Sequence, residues 1–230
     1  MTNDETLARV RDDGEAAGVT GVVLVAHGGR SVSSEPTTAV QPAVLRMVPL
    51  ARAIRRALRG TGALVVRPRF RLRGWNGEQA LPVHDLSGIL DDVGRRFGPV
   101  PIVLVGHSMG ARAALRVAGH RGVSAVAALA PWLPPGEPVE QLTGRRVLLV
   151  HGSADGITRP DDTWAYAERA RSVAEVTTVE IRNGDHAMLR RASLWHSIAA
   201  DFARGAFRLP ETAGHANAAR RLTIGASNSL

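Results

Sequence analysis

Hydrophobic residues fall into two patterns that alternate along this chain. The first is a short apolar run. Such runs occur at Gly21 to Ala26 (GVVLVA), Ala63 to Val66 (ALVV), Ile102 to Val105 (IVLV), Val123 to Ala130 (VSAVAALA), Val147 to Val150 (VLLV) and Val176 to Ile181 (VTTVEI). The first four are close to continuous, as strands are when both faces of a parallel sheet are covered. The run at Val176 alternates more and is expected at an edge. The second pattern is an apolar residue every three or four positions. It links Leu45, Val48, Ala51, Ile54 and Leu58, then Leu86, Ile89, Leu90, Val93 and Phe97, and finally Met188, Ala192, Trp195, Ala199 and Phe202. Each set predicts a helix with one stripe against a sheet.

Strands alternating with such helices form βαβ units. The expected fold class is therefore α/β, with a mostly parallel sheet of about six strands and helices on both faces. The length of 230 residues suits one domain of this kind. Its expected limits are residues 19–208, with an N-terminal arm at 1–18 and a flexible tail at 209–230, where Ala, Asn, Ser and Gly recur without a period.

Composition removes several kinds of chemistry. With no cysteine, the chain has no disulfides, zinc–thiolate sites, iron–sulfur clusters or catalytic thiol. The net charge of +8 comes from 29 arginines and no lysine, spread along the sequence. That distribution reads as a solvated basic surface rather than a nucleic-acid stripe. An aromatic content of 4% argues against a stacking platform for single strands. No run approaches the roughly 18–20 apolar residues of a membrane span. Met1 to Asp13 is polar and acidic, unlike a secretory signal. The expectation is a cytoplasmic protein with neither nucleic-acid nor membrane partners.

The candidate chemistry centres on Gly106-His107-Ser108-Met109-Gly110. As a bare G-x-S-x-G pattern it is cheap in a chain this rich in glycine, so context decides its weight. The strand PIVLV leads directly into it and a helical pattern, Ala111 to Ala118, leads directly out. A sharp strand-to-helix turn strains the Ser108 backbone and lifts its hydroxyl above the sheet. The glycines let the strand and helix backbones approach, and the turn aims helix N-terminal N–H groups at any oxyanion that forms.

This element resembles the nucleophile elbow of the α/β-hydrolase superfamily, and the likeness extends over residues ~20–205, nearly the whole chain. Three further pieces carry it. Val25-Ala26-His27-Gly28-Gly29 resembles the loop that supplies a second oxyanion donor, by position the N–H of Gly29, with Gly28 or Arg30 as alternatives. Leu149 to Asp155 (LVHGSAD), followed by Arg159-Pro160, resembles the acid loop and implies Asp155. Asn183 to Ala187 (NGDHA) resembles the histidine loop and implies His186. The order nucleophile, acid, histidine is the family's. The resemblance thus implies a Ser108–His186–Asp155 triad with Met109 and Gly29 N–H groups forming the oxyanion hole.

The implied activity is hydrolysis of a carboxylic ester or thioester through an acyl-enzyme on Ser108, with no cofactor and a small-molecule substrate. Acyl transfer from a carrier and a non-catalytic binding protein on the same fold are the competing readings. Asp185 precedes His186, but adjacent side chains on a tight loop point apart, so Asp155 is the expected acid. His27, His107 and His151 all follow strands and crudely suit a three-histidine metal site, yet the motifs already explain each one and no carboxylate spacing supports a metal. Only Pro131 to Arg146 occupies the place where many relatives insert a cap, so a minimal, lidless fold with an open site is expected. Trp132 and the loop Arg67 to Gly77 are expected as its walls, and Trp132, Arg30 and His107 as residues that contact substrate.

Overall fold

The computed structural model describes residues 18–207 and, as backbone, 220–224. Strands β1 (Gly21–Ala26), β2 (Ala63–Val66), β3 (Ile102–His107), β4 (Val123–Leu129), β5 (Arg146–Gly152), β6 (Glu175–Ile181) and β7 (Arg220–Ile224) form one sheet in the order β2-β1-β3-β4-β5-β6-β7. Every pairing is parallel. The helices are α1 (Pro42–Leu45), α2 (Met47–Ala57), α3 (Leu81–Phe97), α4 (Met109–Arg116), α5 (Pro160–Ala170) and α6 (Ala192–Ala206).

The continuous apolar runs are explained by two buried faces. Along β1, Val22, Leu24 and Ala26 point into one core layer and Val23 and Val25 into the other. Helices α3, α4 and α5 cover the first face, placing Leu86, Ile89, Leu115 and Tyr166 there. Helices α2 and α6 cover the second with Leu50, Ile54, Trp195 and Ala199. Among the described residues no cap domain interrupts this frame. Pro131 to Arg146 lies down on the body, with Leu133, Val139 and Leu142 buried beneath it.

Some elements differ from the sequence expectation. β6 is not an edge strand, because β7 pairs with it from Thr177 to Ile181. The seventh strand comes from the segment read as a tail. The rest of 209–230 lies outside the described residues, as does the arm at 1–18 apart from Gly18. The apolar periodicity of the sequence does not mark helix α5, where only Arg159-Pro160 stands out. Its buried Thr163, Tyr166, Ala167 and Ala170 have helical spacing, and proline at its first position with Asp161 and Asp162 behind it is a helix start. The last helix begins at Ala192 rather than Met188. Met188 and Arg191 have φ of 56° and 58°, which no helix interior accommodates.

Chain order places the site. After β2 the sheet grows on the other side of β1, so the connections from β1 and β3 leave in opposite directions. A crevice opens at such a switch point, beyond the carboxyl ends of the strands. His27-Gly28-Gly29 follows β1 there, and Ser108 follows β3.

Candidate active site

Ser108 has φ 54° and ψ −118°, a conformation L residues rarely adopt. Its surroundings hold it there. The N–H donates to the Leu129 carbonyl at 3.0 Å, and the carbonyl accepts from Ala111 and Arg112 at 3.1 Å and from Trp132 at 3.3 Å. The turn is also too tight for side chains on its glycines. A Cβ on Gly106 would strike the backbone of Gly110 and Ala111, and one on Gly110 would strike the Ala26 and His27 carbonyls.

The loops after β5 and β6 converge on this elbow. His186 Nε2 lies 3.0 Å from Ser108 Oγ, and His186 Nδ1 lies 2.8 Å from Asp155 Oδ2. The Asp155 side chain is fully buried and surrounded by donors. Oδ1 accepts the N–H groups of Ile157 at 2.8 Å and Thr158 at 2.9 Å. Oδ2 accepts the Thr158 hydroxyl at 2.9 Å and His151 Nε2–H at 3.1 Å, besides His186. His151 Nδ1 in turn takes the Thr163 hydroxyl at 2.7 Å. Burial opposes charge on Asp155, but hydrogen bonds from His151, His186, Thr158 and Ile157 outweigh it and hold the carboxyl far below its ordinary range. Asp185 turns away from His186, and its Oδ1 accepts the Arg190 N–H at 2.7 Å.

The N–H of Met109 opens α4, so it has no acceptor further back in the helix. Arg30 donates its N–H to the Arg73 carbonyl at 2.8 Å, which removes it from the alternatives for the second donor. The N–H of Gly29 has no partner among the described residues, and Gly29 is exposed.

His107 requires a correction. Expected against substrate, it is 1% exposed. Its Nε2–H donates to the His186 carbonyl at 2.8 Å, so it anchors the histidine loop from below. His27 is equally internal. Its Nδ1–H donates to the Gly28 carbonyl at 2.7 Å and its Nε2 accepts the Phe70 N–H at 3.1 Å, pinning the Arg67 to Gly77 loop to β1. Burial pushes both rings down from 6.5, His27 to about 4 and His107 to about 3. Below pH 6.5 the unfolded chain takes up protons that the folded chain refuses. The stability these neutral rings contribute is therefore complete above 6.5 and falls away as pH drops toward 4. The expected loss is about 3 kcal/mol per ring by pH 4, read as a falling urea midpoint between pH 7 and 4. A flat profile across that window would mean that the rings titrate normally.

Arg30, expected against substrate, is exposed and does not line the cleft beside the elbow. Trp132 lines a cleft of about 660 Å³ together with Trp75 from the Arg67 to Gly77 loop, and Ser31, Arg112 and Arg116 also border it. Ser108 is not in its lining. The cleft opens beside the elbow, reached through Trp132, which hydrogen-bonds Ser108, and Arg112, one helical turn further on. Three groups here were missed in the sequence. His151 and Thr158 matter only through contacts made in three dimensions. The pair Arg112–Glu137 joins a helix to a proline-rich loop and leaves no local pattern.

Residues 22–224 match the family model described as alpha/beta hydrolase family. Among solved structures, the chain is similar to a lidless α/β serine hydrolase from Xanthomonas campestris, with 22% identity, TM-score 0.61, and 84% of each chain covered. It is similar to an alpha-beta serine hydrolase homologue from Coxiella burnetii, with 19% identity, TM-score 0.61, and 80% of this chain and 85% of that one covered. An esterase domain from Rhodothermus marinus matches with 21% identity and TM-score 0.56, covering 81% of this chain and 88% of that one. At these identities the structures show a shared fold. A comparison with curated proteins finds no match.

Proposed function

Because the chain belongs to the alpha/beta hydrolase family, we propose that it is a serine hydrolase that cleaves a carboxylic ester or thioester through an acyl-enzyme on Ser108. The observation that carries this reading is the continuous hydrogen-bond chain from Ser108 Oγ to His186 at 3.0 Å and on to Asp155 at 2.8 Å.

A serine hydroxyl is a weak nucleophile at neutral pH. In this reading His186 Nε2 takes the Ser108 proton as Oγ attacks the acyl carbon, and the imidazolium that forms is stabilised by Asp155 through Nδ1–H. The carbonyl oxygen becomes an oxyanion facing the N–H groups of Met109 and Gly29. His186 returns its proton to the leaving alcohol or thiol. Water, deprotonated by the same imidazole, then releases the acid from Ser108. His151 and Thr158 keep Asp155 ionised and in place, and neither touches substrate. The test is turnover of short p-nitrophenyl esters and acyl thioesters by the purified protein. Inertness toward both classes would overturn the reading.

The packed Pro131 to Arg146 loop supports a second expectation. Nothing need open before substrate enters, so rates on short soluble esters are expected to saturate smoothly below the micelle concentration. A jump in rate at a lipid interface would require a moving lid elsewhere in the chain.

No described helix is long and apolar enough to cross a membrane.

A further inference from the structure

The cleft beside Ser108 contains a group for which the hydrolysis itself has no use. Arg112 projects from the second turn of α4 with its side chain only 10% exposed. Burying a guanidinium is costly unless its donors and charge are met. Here they are met on one side only. Nε lies 2.7 Å and Nη2 2.5 Å from Oε1 of the buried Glu137. The carbon of the guanidinium sits in the corner between two indoles, 3.9 Å from the Trp75 ring centre and 4.4 Å from that of Trp132. The rings meet edge to face. Nη1 makes no hydrogen bond among the described residues. It is also not among the buried polar atoms that lack a partner, and Arg112 borders the open cleft.

The charges around it do not cancel. Arg116 also pairs with Glu137, through Nε at 2.6 Å and Nη2 at 3.1 Å. Two arginines therefore share one carboxylate, and the cluster, buried at Arg112 and Glu137 and partly exposed at Arg116, carries an excess of one positive charge. Glu78 stands on the exposed rim of the cleft, where water screens it. Arg112 has lost most of its water, so its field acts on whatever occupies the cleft. An arginine clamped along one edge presents its other edge, Nη1–Nη2, with little entropy left to lose. That edge matches a planar monoanion held by two parallel hydrogen bonds.

We propose that this free edge of Arg112 is a subsite for a carboxylate on the substrate, remote from the bond that is cleaved. The preferred substrate class is then a half-ester or half-thioester of a dicarboxylic acid. This rests on Ser108 being the nucleophile. Trp75 and Trp132 flank the methylene chain between the two ends, and the neutral form of the same ester leaves Arg112 half-desolvated without a second partner.

The test compares p-nitrophenyl half-esters of adipic, pimelic and suberic acids with the same compounds methylated on the free carboxyl. At the best length the free carboxylate is expected to raise kcat/KM about 10- to 100-fold, mainly through KM, and high salt should shrink the advantage. In Arg112→Gln protein, where Glu137 keeps Arg116 as its partner and no charge is left unpaired, the ratio should fall to about one. A binding arm works without turnover: Ser108→Ala protein titrated with adipate should change its tryptophan fluorescence where dimethyl adipate does not. Methyl-capped compounds that perform as well at every length, together with adipate that binds no better than its diester, would overturn the subsite and leave the cluster as a pin for the Pro131 to Arg146 loop. If the wild type cleaves neither series while adipate still binds selectively, the hydrolase reading fails and the subsite stands.

Discussion

Ser108→Ala protein is expected to lose ester turnover by a factor of about 10⁴–10⁶ and to lose all labelling by a fluorophosphonate probe. The magnitude follows from what the hydroxyl does in the proposed reaction. It forms the covalent bond, and no neighbouring group replaces it. Ser108 Oγ is the atom 3.0 Å from His186 Nε2. The backbone should tolerate the change, because φ of 54° is imposed by the carbonyl and N–H contacts of the elbow and not by the hydroxyl. Circular dichroism and a urea midpoint near wild type would establish that the fold survives. Undiminished labelling of the alanine variant, or a probe mapped to another serine, would remove Ser108 from the mechanism.

Asp155→Asn should reduce kcat by roughly 10⁴, whereas Asp185→Asn should cost about 10-fold or less. Every hydrogen bond that reaches the Asp155 side chain comes from a donor: Ile157 and Thr158 N–H on one oxygen, and His186, His151 and the Thr158 hydroxyl on the other. An amide must point its NH₂ at one of these sets. If it faces His186, the ring adopts the wrong tautomer and Nε2 can no longer accept the serine proton. If it faces Ile157 and Thr158, two backbone donors oppose it. Some stability is lost in either case, of order 1–3 kcal/mol. The Asp185 side chain accepts the Arg190 N–H and faces the charge of Arg46, and an asparagine oxygen can still accept that N–H. Measuring kcat of both variants at pH 7–8 separates the two carboxylates. If Asp185→Asn proved the costlier, Asp155 would be a turn former and the orienting acid would lie elsewhere.

The pattern of apolar positions determined the α/β class, the six strands from β1 to β6 and their parallel pairing, because runs such as GVVLVA have no polar face to give to water. The strand–turn–helix context of G-x-S-x-G marked Ser108, and the resemblance to the α/β-hydrolase superfamily implied Asp155 and His186 from the loops after two later strands. Tertiary structure decided the rest. Arg220 to Ile224 has too little hydrophobicity to announce a strand, and it becomes one through its partner β6. His107 stands inside the most recognisable motif of the chain, yet its buried ring serves the His186 carbonyl rather than a ligand. Glu137 looks like a surface residue among prolines until Arg112 and Arg116 close on it from a helix 21 to 25 positions away. Local sequence encodes periodicity and turn chemistry, which depend on near neighbours. The partner of a buried charge is settled by which loops meet at the carboxyl edge of the sheet, and that requires the whole chain to be folded.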